Sequence, residues 1–171
     1  YGYATMTAGK IAVDYPGQYH VVNKGISGNR IVDLYARIKK DIINLKPDYL
    51  SILIGVNDVW HEIEEQNGVD AEKFETIYCM LIEEIKAALP DIKIMILEPF
   101  VLPGDATDPA DKPEKYALFR RETQLRAQAA TRIAQKYDLP VIVHSRDAIL
   151  DTLNILKEYP VKKTGIIHCF S

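Results

Sequence analysis

"PDYLSILIGVNDVW", residues 47–60, is the stretch on which the fold turns. Pro47-Asp48 interrupts whatever precedes it, and residues 49–55 are apolar without alternation. A strand buried in a parallel sheet reads this way, because both of its faces are covered. Gly55 ends the run, and Asn57-Asp58 marks the point where the chain leaves the strand.

The surroundings repeat the same alternation of strand and helix. Upstream, Ile31, Leu34, Tyr35, Ile38, Ile42 and Leu45 recur at helical spacing, "YHVV" (19–22) predicts a short strand, and residues 2–14 fit a helix. Downstream, Asp70 is placed to cap a helix whose buried face carries Phe74, Ile77, Tyr78, Leu81, Ile82, Ile85 and Leu89, with Pro90 ending it. "KIMILE" (93–98) predicts a strand. Pro99, Pro103, Gly104, Pro109 and Pro113 then punctuate a loop. A helix follows over about 114–137, with Leu125, Ala129, Ile133 and Tyr137 spaced by fours. "PVIVH" (140–144) predicts a strand, residues 147–157 a helix capped by Ser145, and "GIIHCF" (165–170) a last strand. The order predicts a single α/β domain, 1–171, with helices on both faces of a mostly parallel sheet. Sites in such sheets gather at the carboxyl ends of the strands.

Composition narrows the function classes. Of 171 residues, 47% are hydrophobic and 26% charged, which is ordinary globular usage. A net charge of −3 is of the wrong sign for general affinity to nucleic acid. No apolar run approaches the ~20 residues of a membrane span. The start, "YGYATMTAGK", lacks an apolar h-region, so no signal peptide is expected and the expected location is cytoplasmic. Cys79 and Cys169 have no metal-type spacing. No resident cofactor and no partner are expected.

Taken as residues alone, Gly28 is a turn glycine and Asn57-Asp58 a strand-end turn. "NKGISGNR" after a strand and "GVND" at the end of the next together resemble the SGNH (GDSL-type) esterases and lipases. The likeness covers 1–137, including "LKPDYLSILIGVNDVWHE", "IMILEPF" and "FRRETQLRAQAATRIAQKY". It implies a flavodoxin-like three-layer fold, with the Gly28 backbone N–H and the Asn57 side-chain amide facing a developing oxyanion. Such donors are worth several kcal/mol in acyl transfer. The family's Gly-Asp-Ser nucleophile block does not occur in these 171 residues, and no Asp-x-x-His block occurs toward their end.

From residue 139 the wording changes. "LPVIVHSRDAILDTLNILKE" and "GIIHCFS" resemble the TatD-type metal-dependent deoxyribonucleases. That resemblance implies that His144 and His168 are metal ligands at successive strand ends. Either histidine is equally read as a packed or partly exposed polar residue. Glu98, also at a strand end, is a speculative third ligand for an adventitious zinc, nickel or magnesium ion. The chain therefore reads as an engineered or recombined hybrid, 1–137 joined to 138–171, without an intact catalytic site. A residual esterase and a metal-binding phosphodiesterase remnant are the alternatives.

A flavodoxin-like five-stranded sheet has the order 2-1-3-4-5. With no strand ahead of residues 2–14, the last strand is expected to fill the central slot, as in a circular permutant. That position would carry Ser171 toward Gly28 and Asn57 as a speculative nucleophile. The other orders open to the sequence put that strand at the outer edge, or take one from a partner in a strand-swapped dimer.

Overall fold

The computed structural model describes residues 3–110, 112, 114–144 and 166–168. Its elements run α1 (Tyr3–Asp14), α2 (Ile31–Ala36), α3 (Ile38–Asp41), β1 (Tyr49–Leu53), α4 (Val56–Glu65), α5 (Ala71–Ala88), β2 (Lys93–Leu97), α6 (Glu114–Lys136), β3 (Val141–His144) and β4 (Ile166–His168). The sheet among the described residues is parallel throughout, in the order β1-β2-β3-β4. Leu53 stands opposite Leu97, and Leu97 opposite Ile142. Parallel neighbours need long crossovers, which α4–α5 and α6 provide.

The sheet departs from the expected one at both ends. "YHVV" (19–22) joins no ladder, and Tyr19, Val21 and Val22 are exposed. The last strand does not fill a central slot. It pairs with β3 at the outer edge, Ile142 opposite Ile166 and His144 opposite His168. The physical reason is economy of connection, since a strand that follows another after one crossover lies beside it. The permuted 2-1-3-4-5 order is thereby corrected to a four-stranded sequential one. The proposed helix over 147–157 lies outside the described residues.

The core sits on one face of the sheet. Leu50, Ile52, Ile94, Ile96 and Val141 meet Phe74, Tyr78, Leu81, Ile82 and Ile85 of α5 and Ala129, Ala130, Ile133 and Ala134 of α6. The α5 stripe follows the i, i+4, i+7, i+8 pattern read from the sequence. Asp70 caps that helix as expected, accepting from the Lys73 N–H at 2.9 Å. The opposite sheet face carries Tyr49, Ser51 and Leu53, all exposed. α1 approaches it where the Tyr3 hydroxyl lies 3.3 Å from Ser51 Oγ, and no α1 residue is buried. Among the described residues the buried core lies on one face, and α1 approaches the other.

Two helices differ in detail. The predicted 31–45 helix is broken at Arg37, whose guanidinium turns back to Asn29 Oδ1, the Lys24 carbonyl and Asp41. On α6, Leu125 is exposed and Arg126 buried, so the fours pattern was one step out of phase there. Arg126 is tolerated inside because Nη1 bonds the Glu122 carboxylate at 2.7 Å and Nη2 the Val69 carbonyl at 2.6 Å.

Gly68 closes the α4–α5 connection against α4. A Cβ there would lie 2.2 Å from the Asp58 carbonyl oxygen and 2.6 Å from the Glu62 nitrogen, both backbone atoms. Gly68→Ala is expected to destabilise the fold by about 2–3 kcal/mol, the range of overpacked sites. A urea unfolding midpoint unchanged from the parent protein would contradict this.

Candidate active site

The site forms where the segment after residue 25 meets the first turns of α4, beyond the carboxyl end of β1. The chain turns at residues 26–29, with the Asn29 N–H donating to the Ile26 carbonyl at 3.3 Å. Gly28 has φ +82°. A positive φ at the third position of a four-residue turn is the type II geometry, which glycine adopts without strain. Nothing crowds this glycine, since an added Cβ would meet only His61 Nε2 at 4.0 Å. Its N–H makes no hydrogen bond to a described residue.

α4 starts at Val56, one residue after Gly55, whose φ is +124°. There both angle and space demand glycine, because a Cβ would sit 3.0 Å from Pro99 and 3.2 Å from the Phe74 ring. That tight start aims three α4 side chains at the loop. Asn57 Nδ2 donates to the Asn29 carbonyl at 3.1 Å. An amide has two N–H donors, so one remains for a ligand. The Asp58 carboxylate is fully buried and accepts from the Ile31 N–H at 3.0 and 3.2 Å. His61, one turn on, places Nε2 3.0 Å from the Gly28 carbonyl and Nδ1 3.0 Å from Glu65. Arg30 braces the loop's far side, bonding Asp33 and the Asn67 carbonyl.

Electrostatics follow from burial. Desolvation pushes the Asp58 carboxyl up to about 6, against the Ile31 hydrogen bond and the fields of Arg126 and Arg30. Glu98, the residue after β2, is pushed up to about 7 by burial, with the Thr131 hydroxyl as its hydrogen-bond donor.

Asn57 bonds the carbonyl of Asn29, the residue after Gly28. Glu98 stands beyond the end of β2, engaged with α6. The backbones of His144 and His168 are register partners at the ends of β3 and β4. Ser171 lies outside the described residues. β4 precedes it with β3 and β2 between that strand and β1. Among the described residues, no three His, Cys, Asp or Glu side chains form a metal-holding group. No described helix is long and apolar enough to cross a membrane. The residues alone give Asp58 a turn role and do not single out His61. Their partners, the Ile31 N–H and the Gly28 carbonyl, are backbone groups that residue spacing does not reveal.

A parallel sheet covered by helices, with its candidate site beyond the carboxyl end of β1, is an α/β hydrolase-like architecture. The chain belongs to the GDSL-like lipase/acylhydrolase family, whose profile matches residues 1–167. It is similar to the acetylxylan esterase of Geobacillus stearothermophilus, 39% identical over 114 residues, which are 63% of this chain and 51% of that protein. The solved structure of an acetylxylan esterase from the same organism superposes with a TM-score of 0.70 at 31% identity, over 90% of this chain and 67% of that one. The chain spans about half the length of the curated esterase it matches. A metal-dependent hydrolase of Escherichia coli strain K12, YcfH, is 44% identical over 58 residues, 31% of this chain and 22% of that protein.

Glu98 carries a pH signature. Its folded value lies above the ordinary 4.5, so the folded state holds the extra proton between about 4.5 and 7. Stability contributed by the neutral carboxyl is complete at low pH and is lost as pH rises through that window, up to about 3 kcal/mol. Glu98→Gln is expected to flatten this part of the stability–pH curve. Denaturation midpoints between pH 4.5 and 8 check it, and an unchanged slope would contradict it.

Proposed function

We propose that this chain supplies the carbonyl-binding half of a carboxylic-ester hydrolase site that acts on small acyl esters such as acetyl groups. The observation that carries the reading is the convergence of Gly28, its N–H unused among the described residues, with the spare amide hydrogen of Asn57. Donors held in place beforehand stabilise an oxyanion without reorganising as it forms. The similarity to acetylxylan esterases supports an acetyl-sized acyl group.

Acyl transfer also needs a nucleophile and a base. No Gly-Asp-Ser occurs in these 171 residues, and the Asp-x-x-His they do contain, Asp58 to His61, lies in α4 beside Asn57 and not late in the chain; its two side chains bond the Ile31 N–H and the Gly28 carbonyl. The chain as it stands polarises an ester carbonyl without turning it over. Residues 138–171 are of TatD-like ancestry in this reading and 1–137 of esterase ancestry; the 58-residue YcfH match, to a metal-dependent hydrolase, is longer than the first of these segments. p-Nitrophenyl acetate hydrolysis tests the proposal. The parent chain, Asn57→Ala and Ser171→Ala are expected to give equal rates at the uncatalysed level. A parent rate above background that falls by roughly 100-fold in Asn57→Ala would establish the alternative, a residual esterase.

The pairing of β3 with β4 favours a second reading, in which His144 and His168 hold a zinc or nickel ion. Two imidazoles are one ligand short of the usual catalytic zinc set. Glu98 is already engaged by Thr131, so water would complete the shell. Zinc titration by calorimetry is expected to show weak binding that disappears in both His144→Ala and His168→Ala. Identical isotherms for all three proteins would remove the reading.

A further inference from the structure

His61 is held between two acceptors. On one side stands the Gly28 carbonyl, 3.0 Å from Nε2, and on the other the Glu65 carboxylate, 3.0 Å from Nδ1. A neutral imidazole has a single N–H and can satisfy only one of them. The imidazolium donates to both. We propose that His61 is a proton-dependent positioning residue: its imidazolium bridges Glu65 to the Gly28 carbonyl and fixes the backbone whose N–H faces the ester oxygen.

The geometry gives the direction of the switch. When the proton leaves, the N–H that remains stays with the carboxylate, the stronger acceptor. Nε2 then turns a lone pair toward the Gly28 oxygen, and the carbonyl is released. The peptide joining Gly28 to Asn29 is otherwise held by the Asn29 N–H on the Ile26 carbonyl, at 3.3 Å. Losing its other tether frees ψ of Gly28, a residue with no side chain to restrict it.

Other charges face the ring from the elements packed against it. Glu65, on α4 itself, favours the charged form and is the largest influence. Partial burial and Arg30, in the loop before α2, oppose it. Asp33, in the first turn of α2, senses the imidazolium in turn. The balance raises His61 above its ordinary value. The bridge is therefore complete at lower pH and opens as pH rises through the folded value.

The catalytic meaning of this bridge rests on the ester-hydrolase reading of Gly28, but the bridge itself can be measured without turnover. The experiment is a pH titration of the uniformly 15N-labelled 171-residue chain by NMR, following the amides of Gly28 and Asn29 and the ring nitrogens of His61. The two amides are expected to titrate with the His61 midpoint. In His61→Gln, which keeps one donor and cannot titrate, that pH dependence should vanish. In Glu65→Gln, the ring and both amides should move together to a midpoint lower by about half a pH unit, the scale of an exposed ion pair. Flat Gly28 and Asn29 amides while His61 titrates would overturn the proposal, as would a titration that persists in His61→Gln. Should His61→Gln fail to fold, the joint shift in Glu65→Gln decides. Amides that respond leave the bridge standing whatever the p-nitrophenyl acetate rates are, because those rates bear on the ester reading and not on the bridge.

Discussion

The site depends on a buried carboxylate. Asp58 accepts the Ile31 N–H through both oxygens, at a point with no exposure to water. That N–H lies in the first turn of α2, where a helix has no carbonyl of its own to bond it. One interaction thus closes the start of α2, sets the approach of residues 28–31 to α4, and fixes the distance between Gly28 and Asn57. Burying a carboxylate is costly, as its raised proton affinity records, and the Ile31 hydrogen bond with the fields of Arg126 and Arg30 offsets part of that cost.

The surrounding packing keeps this arrangement in register. Gly55 and Gly68 permit backbone approaches no side chain would allow, one at each end of α4. Arg126 then ties the loop after α4 to α6 through the Val69 carbonyl. The apolar face of α5 and the small residues of α6 hold the sheet against these helices. The polar clamp of α4 on the glycine turn and the apolar core beneath it are two sides of one construction. The first sets direction, and the second supplies the bulk of the burial.

Much of this was legible from residues. The run at 49–55, the Asp70 cap and the α5 stripe each follow from local pattern, and each is found. Gly28 and Asn57 were singled out through resemblance, and Asn57 bonds the carbonyl of the residue after Gly28. The misses have a common origin. "YHVV" has strand composition, but composition does not supply a neighbour to pair with, and its backbone stays outside the sheet. The place of β4 depended on which edge a distant segment chooses, a tertiary preference that periodicity does not encode. Arg126 inside and Leu125 outside reflect ion pairing that overrides hydrophobic ranking. Asp58 and His61 act through loop backbone, and backbone partners leave no mark in sequence spacing.

The position of β1 has a kinetic consequence. A parallel strand sends alternate amides to its two sides. On one side β1 is bonded to β2, while its other side pairs with no strand among the described residues. In deuterium exchange, neighbouring amides of this one strand should separate into a slow set and a fast set. The slow set exchanges with global opening, and the fast set with edge fluctuation. The strand that delivers Asn57 is thus bonded along one flank and, among the described residues, unpaired along the other.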